Sequence, residues 1–272
     1  MKKSFVLGVI GAGFMSTAII NGILSAKVLK KSQIIVSDLN DDALIKMQKI
    51  GVKTTKDNSL LAKSSEFVLF AIKPQNFNDV AISLKDENVE KIISIMAGVK
   101  KDKIRSYFKD SKIVRCMPNT PCSIGEGAVG IDNFNLTDKK DKEFIDKIFS
   151  SFAKVSYLTE DKINAVTGIS GSSPAYFYLF IKGIVESGVK NGLSYETALN
   201  LATSTMIGAG KMIIKNSDKT LDELINAVCS KGGTTIEAIK TFNENNLMEI
   251  CDKAINACIK RSKELEDNLW KQ

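Results

Sequence analysis

Gly11-Ala12-Gly13 is set between an apolar run and a helical pattern, and no other feature narrows the possible folds of this chain as far. Phe5 to Ile10 is short and apolar, as a strand buried on both faces must be, and Ala18, Ile19 and Ile23 then recur at helical spacing. A strand that leaves through a glycine turn straight into a helix opens a crossover unit, and crossover units build parallel sheets. Gly11 and Gly13 permit the tight turn and let a pyrophosphate approach the backbone, its charge resting on the N–H groups of the helix start. Ser16 holds the place of the third glycine, where a small residue suffices. The cofactor contacts expected here are Gly8, Ile10, Gly11, Gly13, Phe14 and Met15. An accidental strand–helix turn is the competing reading. Asp38, at the end of the next apolar run, argues against it: a carboxylate there accepts from a ribose diol and repels a 2′-phosphate, and no arginine stands beside it. On these grounds NADH is favoured, while Ser37, Asn40 or a nearby lysine leaves NADPH open. The other role open to Asp38 is to cap the following turn, with Asp41 and Asp42 as rival caps.

The alternation continues. Apolar runs at 33–37, 67–72, 91–96, 112–117, 128–131 and 155–158 are separated by helical patterns at 15–25, 41–50, 77–84, 102–108 and 137–149. After Glu160 strands stop, and helical patterns cover 173–190, 194–216, 220–229, 234–245 and 247–269, with Ser194 and Thr220 placed as N-caps and Glu223 completing a capping box. The expected fold is α/β: a doubly wound Rossmann-type sheet over 1–160, then an all-helical domain over 161–272. Leu247, Cys251, Ala254, Cys258 and Leu265 share a seam of the last helix, and Gly208, Ala209 and Gly210 let another helix approach closely. Such stripes ordinarily pack within one core. Five helices with apolar faces and one sheet domain to cover point instead to a second copy, so the helical part is expected to be a dimerisation domain.

Composition removes several classes of function. There is no histidine, which excludes Ser-His-Asp and Cys-His hydrolysis and leaves no metal site expected. Net charge is +7, but the lysines are spread among acids and arginine occurs only at Arg105, Arg115 and Arg261, so a solvated basic surface is expected and not a nucleic-acid partner. The five cysteines form no C-x-x-C pair and read as free thiols of a reducing compartment. No apolar run approaches the ~20 residues of a membrane span. The apolar stretch after Lys2 and Lys3 is short and glycine-broken, unlike a signal peptide, so no membrane association and a cytoplasmic location are expected. Without histidine, chemistry falls to a cofactor, a hydroxyl, a lysine, a carboxylate or the backbone, which favours hydride transfer.

Three run ends fall at the carboxyl edge, where doubly wound sheets hold their ligands. Ala71-Ile72-Lys73-Pro74 brings a cation toward phosphate, Ala97 and Gly98 leave room for a nicotinamide, and Asn119 can bond its carboxamide or the substrate. A surface lysine is the common alternative for Lys73. In the helical part, Ser173 reads as an N-cap with Pro174 at the first helical position, either an ordinary helix start or a second anion contact. Ser230-Lys231-Gly232-Gly233-Thr234-Thr235 ends one helical pattern and opens another, with Thr234 and Glu237 in capping-box spacing. Two glycines before a helix start suit an anion such as a carboxylate, although alone they indicate only a turn.

Taken in order, Gly11 to Met15, Lys73-Pro74-Gln75, Ala97-Gly98, Arg115 through Pro121, Ser170 through Tyr176 and, above all, Ser230 through Ala238 resemble the pyrroline-5-carboxylate reductase family over essentially the whole chain. The resemblance implies NAD(P)H-dependent reduction of 1-pyrroline-5-carboxylate to L-proline by a homodimer with interlocked C-terminal helices, often assembled into decamers. It implies that Ser230, Gly232, Gly233, Thr234 and Thr235 line the substrate loop with Ser173 nearby, that Thr235 is the catalytic hydroxyl, and that Asn58 lies near the cofactor ribose. The resemblance also implies a preference for NADPH, against which Asp38 and Phe14 stand; Phe14, Ser173 and Lys231 depart from the residues usual in the family. A related imine or 3-hydroxyacid oxidoreductase, or a dinucleotide-binding paralogue without turnover, is the alternative that an assay would separate.

Overall fold

The computed structural model describes residues 3–132 and 138–270. Among these, eight strands form one sheet: β1 Phe5–Ile10, β2 Ile34–Ser37, β3 Lys53–Thr55, β4 Ser65–Phe70, β5 Lys91–Ser94, β6 Lys112–Pro118, β7 Gly127–Asp132 and β8 Ala153–Leu158, in the order β3-β2-β1-β4-β5-β6-β7-β8. Every neighbouring pair is parallel except β6 with β7. The chain winds outward from β1 through β2 and β3, then returns to place β4 on the other side of β1. That reversal makes the carboxyl ends of β1 and β4 a topological switch point, where crevices of such sheets open.

Strand sequences that are apolar at every position are explained by burial on both faces. Val9, Ile34, Val36, Phe67 and Leu69 point into one core, with Ile19 and Ile23 of α1 (Phe14–Ser25), Met47 of α2 (Asp41–Ile50) and Phe149 of α6 (Lys139–Ser150). Ile10, Ile35, Val68 and Phe70, one residue out of phase, point into the other, with Leu61 of α3 (Asn58–Ser64), Phe77 of α4 (Phe77–Ser83) and Ile104 of α5 (Lys101–Arg105). The two-residue period of a strand thus divides one sequence run between two cores. Each fully buried aliphatic side chain contributes about 1.5–3 kcal/mol.

β3 and α3 were not expected. Lys53-Thr54-Thr55 lacks an apolar alternation because β3 is a short edge strand, paired only with β2. The start of α3 is set by Asp57, whose carboxylate accepts from Leu60 N at 2.9 Å. Asn40, rather than Asp41 or Asp42, caps α2 by accepting from Ala43 N at 3.1 Å. Position 137, expected to open the helix before β8, lies outside the described residues; α6 begins at Lys139, behind the capping carboxylate of Asp138.

Beyond β8 come α7 (Ile163–Val166), a π-helical turn over Thr167–Gly171, and α8 (Ser173–Lys190), α9 (Tyr195–Lys215), α10 (Leu221–Val228), α11 (Thr234–Glu244) and α12 (Leu247–Trp270). Thr220 and Glu223 form the expected capping box of α10. The box expected of Thr234 and Glu237 does not form: Gly233 is the N-cap, so Ile236 occupies the position a box would require to be acidic. Ser173 does not cap α8 either. Its hydroxyl donates to the Ile169 carbonyl at 2.6 Å, because the π turn carries helical winding up to it.

Contacts divide the chain into Met1–Pro174 with Ala257–Gln272, and Ala175–Asn256. The division falls later than the expected boundary near Asp161, since Asn164 packs into the first unit by donating to Glu266 of α12 at 3.0 Å. The second unit, taken alone, buries little: its apolar cluster consists of Val185, Ala198 and Ala202, while Phe177, Leu179 and Ile250 are 54%, 71% and 56% exposed. Three buried residues, two of them alanines, do not offset a conformational-entropy cost of about 1–2 kcal/mol per ordered residue. An apolar groove of about 830 Å³ lined by Phe177, Phe180, Ile184, Phe242 and Ile250 runs through this unit.

Candidate active site

The switch point of the sheet holds a cleft of about 660 Å³. Gly11, in the turn after β1, has φ +99°, and a Cβ there would stand 2.6 Å from the Ala71 carbonyl oxygen at the end of β4. Only glycine lets the two strand ends close to this distance. A Cβ at Gly13 would meet nothing within 4 Å, so the backbone there is open to a ligand. Gly13 is also the N-cap of α1 and supplies no side-chain bond, leaving the first-turn N–H groups free to receive an anion.

Asp38 stands directly against this turn. Its Oδ2 accepts from Ala12 N at 2.7 Å and its Oδ1 from Asn40 N at 2.9 Å. The two roles weighed for it are therefore combined: the carboxylate holds the glycine turn and caps its own loop, and further lone pairs remain for a diol. Ser37, fully buried, donates to Asn58 Oδ1 at 2.6 Å, which turns the Asn58 amide NH2 outward from that bond. Ile10, Gly11, Gly13, Ser37, Asp38, Asn58, Ala71 and Lys73 all line the cleft, as do Leu39 and Val80, which the sequence did not single out. Leu39 is 82% exposed, and an apolar side chain left bare beside a polar rim suits the face of an adenine ring. Lys56 pairs with Asp41 at 2.8 Å, whereas Lys73 has no ion-pair partner among the described residues. The residues present fit a dinucleotide, from the open glycine turn to the fixed carboxylate.

Other expected contacts stand elsewhere. Gly8 lies within β1 and is not among the residues lining the cleft; a Cβ there would fall 2.4 Å from Ser65 Oγ and 2.5 Å from Leu61 Cδ2, so its missing side chain serves the packing of α3. Met15 packs on the first core, and Phe14 is 62% exposed on the first turn of α1. Pro74 opens a short 3-10 turn after β4. Gly98 has φ +71°, and a Cβ there would meet Leu265 Cβ at 3.3 Å and Glu266 N at 3.4 Å, so α12 packs on its Cβ side. Ala97 beside it is half-buried. Asn119 is buried, and its amide is engaged at both ends, donating to Ser170 O at 3.2 Å and accepting from Ala128 N at 2.9 Å. Pro174 explains the first bond. Lacking an N–H, it leaves the Ser170 carbonyl, four residues earlier, without a helical donor, and Asn119 supplies one.

In the second unit, the turn between α10 and α11 carries Gly232 at φ +72°, with open space around its Cβ position. Gly233 N donates to Ser230 O at 3.0 Å, and a Cβ on Gly233 would strike Ser230 Oγ at 2.3 Å, so the loop folds tightly over itself. The N-terminal amides of α11 have no side-chain cap. Thr235 is half-buried and its hydroxyl has no partner among the described residues, while Thr234 and Lys231 are exposed. Free N–H donors and an unused hydroxyl together suit a small carboxylate carrying a second polar atom.

The two buried cysteines do not compete with this reading. Burial pushes the thiols of Cys116 and Cys122 up, the first also through the charge of Asp132, and such thiols stay protonated and unreactive. Among the described residues there is no cluster of three metal-ligating side chains, and no helix is long and apolar enough to cross a membrane.

Comparison with known proteins agrees with this geometry. Residues 160–265 match the family model described as pyrroline-5-carboxylate reductase dimerisation, and residues 6–98 match that of NADP oxidoreductase, coenzyme F420-dependent. The pyrroline-5-carboxylate reductase of Haemophilus influenzae is 34% identical over 96% of this chain and 97% of its own length. A solved pyrroline-5-carboxylate reductase from Coxiella burnetii superposes with a TM-score of 0.88 at 34% identity, covering 97% of this chain and 99% of that one. The pyrroline carboxylate reductase of Plasmodium falciparum, solved with NADP bound, gives 0.86 at 29% identity, covering 98% and 100%. Full-length kinship at this level, on a sheet with a dinucleotide cleft and a region shared with the family's dimerisation model, places the chain in the pyrroline-5-carboxylate reductase family.

Proposed function

We propose that this protein reduces 1-pyrroline-5-carboxylate to L-proline at the expense of a nicotinamide dinucleotide. The observation that carries the reading is the joint presence, in one chain with full-length relatives of that activity, of a fixed Asp38 rim and an uncapped Gly233–Thr235 turn. When bound, the dinucleotide supplies a hydride from nicotinamide C4 to the imine carbon. The chain's own part is to bind, align and keep out water. The N–H groups of Thr234 and Thr235 hold the substrate carboxylate, with Ser230, Gly232 and Gly233 shaping the loop. The Thr235 hydroxyl accepts a hydrogen bond from the protonated ring nitrogen. With the imine already protonated, hydride addition yields the secondary amine and no histidine acid is required. Ser173 is retained as a lining residue of the substrate site.

The cofactor preference proposed is NADH. Asp38 is held in place by two backbone donors, and Lys56, which lines a neighbouring hollow with Leu39, is paired with Asp41, so a 2′-phosphate at this rim would face the Asp38 carboxylate. The assembly proposed is a homodimer formed through Ala175–Asn256, the unit from which the decamer implied by the resemblance would be built. Oxidation of NADH and of NADPH, followed at 340 nm with 1-pyrroline-5-carboxylate as acceptor, tests both points. Turnover with kcat/KM higher for NADH is expected. No oxidation of either cofactor would remove the activity, and a preference for NADPH would overturn the reading of Asp38.

A further inference from the structure

Ala97 and Gly98 follow β5 at its carboxyl end, and their place along the sheet edge can be traced bond by bond. Ile95 N donates to Phe70 O at 3.2 Å, and Ala71, the next residue along β4, donates to Ile10 O at 2.9 Å and lines the cleft. The segment from Ile95 to Lys100 thus continues the rim of the cleft away from Asp38, toward the end where the nicotinamide of a bound dinucleotide would stand. That segment is backed by the last turns of α12. Gly98 packs on Leu265 and Glu266, close enough that a Cβ would stand 3.3 Å from Leu265 Cβ.

Glu266 is 2% exposed and surrounded by donors. Lys100 Nζ stands 3.2 Å from it, Arg115 Nη2 3.4 Å, and Asn164 Nδ2 donates to it at 3.0 Å. Ser262, one turn back on α12, fixes Asn164 by donating to its Oδ1 at 2.7 Å. Arg115, 2% exposed, extends its other branch to Glu160 at 2.9 Å, and the same Glu160 oxygen accepts from Lys101 N at 2.7 Å. A buried carboxylate is costly to place unless cations and donors enclose it, and apolar packing would serve stability at least as well. What such a seat provides is a defined position for the groups it joins, here α12, the start of α5 and β6.

We propose that Glu266 is a positioning residue for hydride transfer: through Lys100 and Arg115 it sets where Ala97 and Gly98 stand at the nicotinamide end of the crevice, a role that rests on the function proposed above. Glu266 itself touches neither substrate nor cofactor. In full-length Glu266→Gln, the Kd for NADH, measured by fluorescence titration, stays within about threefold of wild type, because the adenosine and pyrophosphate contacts are elsewhere. The kcat falls about 10–100-fold, as expected of a displacement near 1 Å at the reacting end. The emission of bound NADH, which arises from the nicotinamide ring, changes in yield. Lys100→Gln, on a side chain 45% exposed and so tolerant of change, moves kcat and emission in the same direction by a smaller factor. A folded Glu266→Gln with wild-type kcat and emission would overturn the inference, as would equal losses in kcat and NADH affinity. If Glu266→Gln does not fold, Lys100→Gln decides, and unchanged kcat and emission there overturn it. Should the wild type fail to reduce the imine, the reaction fails while the emission of bound NADH still decides the role of Glu266.

Discussion

Asp38 and Thr235 mark the two ends of what a single residue contributes here. Asp38 is held by Ala12 N and Asn40 N, so its charge is part of the glycine turn before any ligand arrives. Thr235 is the reverse: half-buried, on the first turn of α11, with a hydroxyl that no described residue uses. Thr235→Ala is therefore expected to leave stability and NADH affinity near wild type and to lower kcat/KM for the imine by about 10²-fold, the cost typical of losing one aligned polar contact in a transition state. Steady-state kinetics beside a fluorescence titration of NADH checks this, and equal kcat/KM would remove Thr235 from the mechanism. The glycines show how far residue type alone can be read. Gly11 and Gly13 were legible because a turn between strand and helix admits few purposes. The packing reasons for Gly8 and Gly98 were hidden, since the neighbours that need their missing Cβ, Leu61 with Ser65 and Leu265 with Glu266, lie far along the chain.

At the scale of elements, apolar strand runs and helices with an apolar stripe were legible, and the short β3 and α3, which show neither, were not. β3 is a polar edge strand of three residues, and α3 is announced only by the Asp57 cap. The junction into α8 was misjudged for a different reason. Ser173-Pro174 looks like a helix start, yet the π turn over Thr167–Gly171 already carries the winding, and the acceptor left free by Pro174 is answered from another element by Asn119. Asn119→Ala would leave two half-buried backbone groups, Ser170 O and Ala128 N, without the amide that now pairs with them. A loss of about 2 kcal/mol in urea unfolding is expected, from the usual cost of unpaired buried groups. A loss below about 0.5 kcal/mol would show that water takes the place of the amide.

The whole molecule divides into one unit that is complete and one that is not. The sheet unit buries two continuous cores, while Ala175–Asn256 leaves Phe177, Leu179 and Ile250 more than half exposed beside an apolar groove. The match of 160–265 to the family's dimerisation model agrees with homo-oligomerisation, the cover proposed above for these faces. That much was legible from five amphipathic helices with too little sheet to cover, although which residues form the groove was not, because helical stripes give spacing without partners. Ile250→Glu is expected to shift the mass measured by light scattering toward that of a single chain and to lower the unfolding temperature of the helical signal; a wild type that is already monomeric would contradict the homodimer. The central claim, that this chain passes a hydride from a nicotinamide to a cyclic imine, is tested most directly by isotope transfer. With 1-pyrroline-5-carboxylate and NADH deuterated at the transferable C4 position, the proline formed should carry one deuterium on the former imine carbon by mass spectrometry. Proline without deuterium, or no proline at all, would contradict it.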